Sequence, residues 1–134
     1  MGARKRIAAE KRKEARKSIA QSRLNNVPSS PRKMRLVADL VREMNIDRAL
    51  AVLQYTNKAV SPLLYKLLSS AIANWTLKNP DADIEAANLF IASIQVNEGR
   101  MLKRLRPAPQ GRGYRIRKRS NHVSIVLGSR NLAN

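Results

Sequence analysis

Apolar residues recur three or four positions apart between residues 31 and 78, which is the spacing of one helix face. The first predicted helix covers about 31–44 and begins with the Ser30-Pro31 pair, an N-cap followed by a first-turn proline. A short helix begins near Asp47, and a longer one covers about 58–78. The predicted apolar stripes comprise Leu36, Val37, Leu40, Val41 and Met44 in the first helix, and Val60, Leu63, Leu64, Leu67, Leu68, Ala71, Ile72 and Trp75 in the longest.

The period changes to two from Asn88 onwards, where apolar and polar positions alternate as they do in β-strands. One strand covers about 88–96, and after a bend at Asn97-Glu98-Gly99 the alternation resumes over 101–105. A turn rich in Pro and Gly follows, and a returning strand covers 114–127. The sequence therefore predicts an α+β fold, with three helices packed on a small antiparallel sheet and a long protruding basic β-hairpin over about 99–121.

Residues 3–22 are rich in Ala, Lys, Arg, Glu and Gln, all of which favour helix. We expect residues 1–23 to be a basic N-terminal extension that is helical when bound to a partner. Asn25-Asn26-Val27-Pro28 interrupts the helical pattern. Residues 24–134 are then predicted to form a single RNA-binding domain that includes the hairpin.

Charge is unevenly distributed along the chain. The 134 residues carry 27 Lys or Arg against nine Asp or Glu, a formal charge of +18. Nine of these cations, and no acidic residue, lie between residues 100 and 119, and nine more lie between residues 1 and 23. Solvated surfaces normally mix both signs, and a chain this basic repels itself when compact. A polyanionic partner is therefore expected, and nucleic acid and anionic membrane both carry the required charge.

Three cations, Arg32, Lys33 and Arg35, crowd the first turn of the first predicted domain helix. The helix dipole disfavours positive charge there, and a bound phosphate would reverse the penalty. The alternative is that these side chains only keep the helix soluble. The sequence leaves both interpretations open.

Catalytic and metal-binding patterns are missing from the sequence. The chain has no cysteine, and its single histidine has no partner of metal-ligating type. Asp81, Asp83 and Glu85 are interpreted as surface residues of the loop that follows a helix rather than as metal ligands. No apolar run reaches the length of a membrane-spanning helix. No enzyme activity, metal, cofactor or membrane association is therefore expected.

Two other functions are consistent with the charge pattern. A DNA-bending protein can carry basic β-arms with a proline at the tip, although such proteins usually clamp DNA as dimers. A nuclease that used Asp81, Asp83 and Glu85 is the second alternative. Preference for structured RNA over duplex DNA argues against the first, and loss of an RNA-directed activity on removing the carboxylates would support the second.

Several stretches resemble the bacterial ribosomal protein L-twenty-two family, in matching order and spacing over roughly residues 24–128. They begin with Ser30 to Leu40 and Ser70-Ala71-Ile72-Ala73-Asn74, and continue through Asn97-Glu98-Gly99, Lys103-Arg104, Pro107, Gly111-Arg112 and Lys118 to His122. The resemblance implies an α+β domain whose hairpin runs through 23S rRNA of the large subunit in the cytoplasm. It also implies a role in subunit assembly and a hairpin tip at the constriction of the nascent-peptide tunnel, opposite ribosomal protein L-four.

Carried over by position, the resemblance gives two sets of site residues. The tunnel tip would comprise Pro107, Ala108, Pro109, Gln110, Gly111, Arg112 and Gly113. The family tip usually reads Pro-Arg-Ala-Lys-Gly-Arg, so two cations usually aimed at the tunnel are absent here. The rRNA-binding residues would be Arg32, Lys33, Arg35, Lys103, Arg104, Arg106, Arg112, Arg115, Arg117, Lys118, Arg119 and His122.

Overall fold

The computed structural model describes residues 3–130, with the exception of the side chain of Ser18. Five helices and five strands follow each other along this part of the chain. In chain order they are α1 Ala3–Ser18, β1 Gln21–Val27, α2 Pro31–Val41, α3 Ile46–Tyr55, α4 Ser61–Lys78, α5 Ile84–Ala87, β2 Leu89–Glu98, β3 Leu102–Pro107, β4 Gly113–Lys118 and β5 Asn121–Ser129.

The domain sheet has three antiparallel strands in the order β1-β5-β2, so the last strand of the chain lies in the middle. Along β5 every second side chain is buried, beginning with Asn121 and ending with Leu127. This alternation is what a sheet with one packed face requires. The α+β class predicted from the change of period is confirmed.

Helix α4 provides much of the core on the packed side of this sheet. Leu64, Leu68 and Ala71 are fully buried, and Leu67 and Trp75 are nearly so. They are spaced three and four residues apart, which brings them onto one face of the helix. The stripe predicted for this helix is therefore confirmed. Helix α3 packs against α4, and α2 packs against α3 and β2. These helices share one apolar cluster with β2 and β5.

Helix α2 buries a face that differs from the predicted one. Leu36 and Leu40 keep 68% and 50% of their surface exposed, so their assignment to a packed stripe is wrong. The buried residues are Pro31, Met34, Val37, Ala38 and Val41. Because both sets are apolar and run side by side, spacing alone did not decide which of them meets the sheet.

Strand β2 contains a register break between Ile91 and Ser93. The extra residue, Ala92, reverses the parity of the alternation, as a β-bulge does. Leu89 and Ile91 before the break and Ile94 after it are consequently all buried. Without the bulge, a period of two would direct Ile94 away from the core that Ile91 occupies.

Three elements differ from the expected arrangement. The basic N-terminal helix, expected over about 3–22, ends at Ser18, and β1 follows where no strand was predicted. β1 buries only Ser22 and Val27, and Arg23, Asn25 and Asn26 are exposed, so its apolar alternation is too weak to recognise. The four-residue helix α5 was not predicted either.

Candidate nucleic-acid interface

Strands β3 and β4 form a two-stranded antiparallel hairpin separate from the domain sheet. The ladder runs from Leu102 opposite Lys118 to Pro107 opposite Gly113. All six side chains of β3 are exposed, and in β4 only Ile116 is half-buried. The predicted hairpin therefore exists as a paired ribbon, and the distance to which it extends from the domain stays a prediction.

Cations occupy both faces of the β3–β4 hairpin. Lys103 stands directly opposite Arg117, and Arg115 stands opposite Leu105, so these three cations share one face. Arg104 and Arg106 lie on the other face with Lys118. Like charges directly opposite each other destabilise a strand pair. No acidic residue lies between residues 100 and 119 to offset this repulsion.

The tip of the hairpin is a tight loop with two consecutive residues at positive φ. Gln110 has φ 63° and ψ 31°, and Gly111 has φ 70°. The backbone N–H of Ala108 donates to the carbonyl of Arg112 at 2.8 Å and closes the loop. The predicted tip residues 107–113 thus lie together at the end of the ribbon, and Arg112 is the only cation among them.

A network of hydrogen bonds fixes the point where the hairpin joins the domain. The N–H of Gly99 donates to the carbonyl of Ser120 at 2.9 Å, and the Ser120 hydroxyl donates to the carbonyl of Arg100 at 2.6 Å. Asn121 is fully buried, and its Nδ2 donates to the carbonyl and Oγ of Ser29 at 2.8 and 2.9 Å. The base of the hairpin is therefore tied to the turn that precedes α2.

A cleft of about 790 Å³ lies at this junction. Its basic lining comes from two regions that are far apart in sequence. Lys33 comes from the first turn of α2, and the other cations come from the base of the hairpin. Asn26 together with serine and apolar side chains forms the rest of the wall. The basic residues that line the cleft are Lys33, Arg100, Arg117, Lys118 and Arg119.

The cleft brings together four of the predicted binding residues and adds one that the prediction missed. Arg100 was not assigned a site, although it opens the stretch of nine cations that ends at residue 119. Its position within that cationic stretch could have identified it as a binding residue from the sequence. Arg32, next to Lys33, is exposed but is not among the residues that line the cleft.

Two predicted binding residues have partners inside the protein. Arg35 donates from Nε and Nη2 to the carbonyl of Val96, at 3.4 and 3.2 Å, and so joins α2 to β2. Nδ1 of His122 accepts a hydrogen bond from the backbone N–H of Asn26 at 3.0 Å, which joins β5 to β1. Both side chains thus have a structural role, and their contact with RNA stays a prediction.

The part of the chain from residue 3 to residue 130 contains no group of three or more His, Asp or Glu side chains able to hold a metal ion. Asp81, Asp83 and Glu85, on and before α5, are all exposed. Over the same residues, no helix is both long and apolar enough to cross a membrane.

An α+β domain that carries an exposed, uniformly cationic ribbon is typical of a small nucleic-acid-binding protein. The sequence profile of the ribosomal protein L22p/L17e family matches residues 22–128, and the chain belongs to this family. It is therefore a structural protein of the cytoplasmic ribosome and not an enzyme. Family membership also decides against the DNA-bending and nuclease alternatives.

Relatives of this family resemble nearly the whole chain. A protein of Flavobacterium psychrophilum, named large ribosomal subunit protein uL22, is 65% identical over 98% of this chain and 96% of its own length. The protein of the same name from Christiangramia forsetii is 60% identical over 98% and 97%. The one from Bacteroides fragilis is 58% identical over 97% and 95%.

Proposed function

We propose that the protein is a constituent of the large ribosomal subunit, where it binds 23S rRNA and supports subunit assembly. Its relatives carry names that assign those proteins to the large subunit. The single observation that carries RNA binding is the β3–β4 hairpin, whose cations are exposed on both faces of a ribbon. Phosphates on both sides would remove the repulsion between Lys103 and Arg117 and would order a ribbon that is marginal alone.

The cleft at the base of the hairpin supports a second contact with the same RNA. Lys33 lies in the first turn of α2, where the helix dipole favours a bound anion and disfavours a cation. A phosphate in the cleft would meet Lys33 together with Arg117 and Arg119, and would offset the dipole penalty. The position of Lys33 beside the hairpin cations in this cleft favours the anion-binding interpretation of the first-turn cations over the interpretation that they only keep the helix soluble.

The hairpin tip would line the nascent-peptide tunnel near ribosomal protein L-four, as the family resemblance implies. The tip is exposed, closed by the Ala108–Arg112 hydrogen bond and nearly free of charge apart from Arg112. A nascent chain would therefore meet apolar and amide groups there more than cations. The nascent peptide is then a transient partner, in contact with side chains between residues 107 and 113.

Binding of rRNA is tested by removing hairpin cations and measuring the salt dependence of the dissociation constant, Kd. Arg115→Gln/Arg117→Gln should lower the slope of log Kd against log salt by about 1.5, if each side chain neutralises one phosphate. Arg48→Gln/Lys66→Gln removes the same charge from exposed positions on α3 and α4 and should change the slope much less. Equal changes in the two variants would contradict binding through the hairpin.

The tunnel position is tested by crosslinking from the tip. The chain contains no cysteine, so Gln110→Cys gives a single thiol for a photoreactive label. After incorporation into large subunits, crosslinks to tunnel rRNA, to protein L-four and to a stalled nascent chain are expected. Labelled protein that sediments with the large subunit but crosslinks to none of these would overturn the tunnel assignment and leave rRNA binding intact.

A further inference from the structure

Helix α1 segregates its charges along its length. Its 16 residues contain eight Lys or Arg and two Glu, a net charge of +6. Glu10 and Glu14 are four residues apart and so lie on one side of the helix. At 100° per residue, Lys5, Arg12 and Arg16 fall on the opposite side. One face of α1 therefore carries only positive charge.

The side chains of α1 are largely unpacked. Among its described side chains all are exposed except that of Ala9, which is half-buried. Ile7, the largest apolar residue in the helix, is 49% exposed. A helix of 16 residues has marginal stability alone in water, and three cations in the first turn oppose the helix dipole. The helix is therefore favoured by its composition and by the exposed Arg6–Glu10 ion pair more than by packing on the domain.

The point where α1 joins the domain is nevertheless fixed. Nζ of Lys78, at the end of α4, donates to the carbonyl of Ile19 at 2.6 Å. The carbonyl of the next residue, Ala20, accepts from the N–H of Leu127 at 3.0 Å. At Ala20, two residues after the end of α1, the chain is thus already part of the folded domain. The helix is held at one end, and Lys5, Arg12 and Arg16 on its cationic face are exposed to solvent.

Helix α1 lies outside the segment that defines the family. The family profile begins at residue 22. The alignment with the Flavobacterium psychrophilum relative takes in 98% of the chain, so it includes nearly all of α1. The extension is therefore an addition to the family domain that relatives of this chain also carry.

We propose that α1 is a second rRNA-binding element, which lays the face of Lys5, Arg12 and Arg16 against the phosphates of a double-stranded rRNA segment. The proposal rests on the function proposed above and names a further contact with the same RNA. The partner is polyanionic because the face is uniformly cationic, and Glu10 and Glu14 on the far side avoid the phosphates. Bound phosphate would also offset the unfavourable position of Lys5 in the first turn.

The composition of α1 favours duplex RNA over other polyanions. The helix contains no aromatic residue, so it offers no platform on which single-stranded bases can stack. Its sparse apolar residues give little surface to insert into a lipid bilayer. Duplex RNA is recognised mainly by its shape and its phosphates, and a row of cations over a helix about 24 Å long suits that mode.

The test compares two triple variants of the full-length protein that lose the same charge. Lys5→Gln/Arg12→Gln/Arg16→Gln removes the cationic face, and Arg6→Gln/Lys13→Gln/Lys17→Gln removes cations from the side next to Glu10. Glutamine favours helix nearly as well as the residues it replaces. The first variant should lower the salt slope for 23S rRNA binding by about 2.7 if each cation meets one phosphate of a duplex. The second should lower it by less than half as much.

The outcomes separate this inference from the proposed function. Equal slopes in the two triple variants, with a reduced slope in Arg115→Gln/Arg117→Gln, would overturn the role of α1 and keep the hairpin. Absence of rRNA binding by the unsubstituted protein would overturn the proposed function itself.

A positional readout identifies the partner directly. Ala8→Cys gives a single thiol beside Arg12 for a hydroxyl-radical cleavage reagent, in a protein that still binds rRNA. Cleavage in a paired rRNA segment, at nucleotides different from those cut from a Leu105→Cys label in the hairpin, is the expected result. Cleavage confined to single-stranded nucleotides would overturn the proposal. So would a photoreactive label on the same Ala8→Cys thiol that crosslinks to protein and not to RNA.

Discussion

The domain sheet and the β3–β4 hairpin are both antiparallel ladders, and strands β2 and β5 of the sheet lead into and out of the hairpin, but different forces stabilise them. In β5 every second side chain is buried, whereas all six side chains of β3 are exposed. Burying one aliphatic side chain contributes about 1.5–3 kcal/mol, and the domain gains this at many positions. The hairpin gains little from burial and also opposes Lys103 to Arg117.

This difference separates stability from binding in the same molecule. We expect the folding free energy to come from the sheet and helices α2 to α4, because the large buried side chains lie there. Under the proposed function, bound RNA would order the hairpin, and we expect its cations to contribute to affinity rather than to folding. Substitutions in the two regions should therefore change different measured quantities.

The largest expected effect comes from the same substitution made in both regions. Leu68 in α4 is fully buried, and Leu105 in β3 is 77% exposed. Leu68→Ala should lower the free energy of unfolding by about 2–5 kcal/mol, because it leaves a cavity in the core. Leu105→Ala should change it by less than about 0.5 kcal/mol, as is usual for exposed positions. Urea denaturation followed by circular dichroism measures both values.

A large loss of stability in Leu105→Ala would contradict the comparison. It would mean that the hairpin packs on the domain in solution and contributes to its folding. Binding of rRNA gives the converse test, because Leu105→Ala leaves every cation of the ribbon in place and should preserve the salt slope.

The second-largest effect is expected at the junction between the two regions, where the hydrogen bonds of Asn121 should contribute to stability. Asn121→Ala removes the two hydrogen bonds to Ser29 and leaves the Ser29 groups without these partners, which should cost about 1–3 kcal/mol. Asn97→Ala, at an exposed position of β2, is the control and should be close to neutral. Thermal unfolding of both variants checks the difference, and equal melting temperatures would show that the buried amide contributes nothing.

Strong single periodicities made several elements predictable from sequence. Helix α4 has one dominant apolar stripe and β5 alternates clearly, so their type and buried faces followed directly. The alternation of β2 indicated a strand, but the bulge at Ala92 changes which of its side chains are buried. The cationic stretch of residues 100–119 was equally plain, since it contains no acidic residue. Each of these patterns is formed by residues that are close together in the sequence, so it can be recognised without knowing the fold.

The missed features depend on partners that are distant along the chain. β1 is a strand because β5 pairs with it, and its own alternation is weak. The face of α2 that is buried is the one that packs on β2, and Leu36 and Leu40 on the other face are exposed. Arg35 and His122 also have partners within the fold, the Val96 carbonyl and the Asn26 N–H, which the sequence did not indicate, and their contact with RNA stays a prediction. No spacing rule relates such residues before the chain is folded.

A smaller effect is expected where Gly99 approaches the return strand. A Cβ at this position would lie 2.6 Å from the Ser120 hydroxyl, which donates to the Arg100 carbonyl at the base of the hairpin. Gly99→Ala should therefore displace that hydroxyl and cost about 1 kcal/mol, the value of one hydrogen bond. In a Ser120→Ala background the same substitution should cost clearly less. Equal costs in both backgrounds, measured by urea denaturation, would assign the effect to backbone contacts instead.

The smallest global effect is expected at the tip, where strain is local. Gly111 has φ 70° with open space around its Cβ position, so Gly111→Ala introduces a left-handed alanine that costs about 1 kcal/mol without a clash. Because the tip lies at the far end of a ladder that does not belong to the core, the melting temperature should stay within about 1 °C. Exchange of the Ala108 amide, which bonds to Arg112, should accelerate about fivefold, the factor that corresponds to about 1 kcal/mol. Gln110→Gly, which relieves a non-glycine residue at φ 63°, should slow the same exchange.

A fall of several degrees in melting temperature in Gly111→Ala would mean that tip and core unfold as one unit, and the division between a folded domain and a ribbon ordered by its partner would then be wrong.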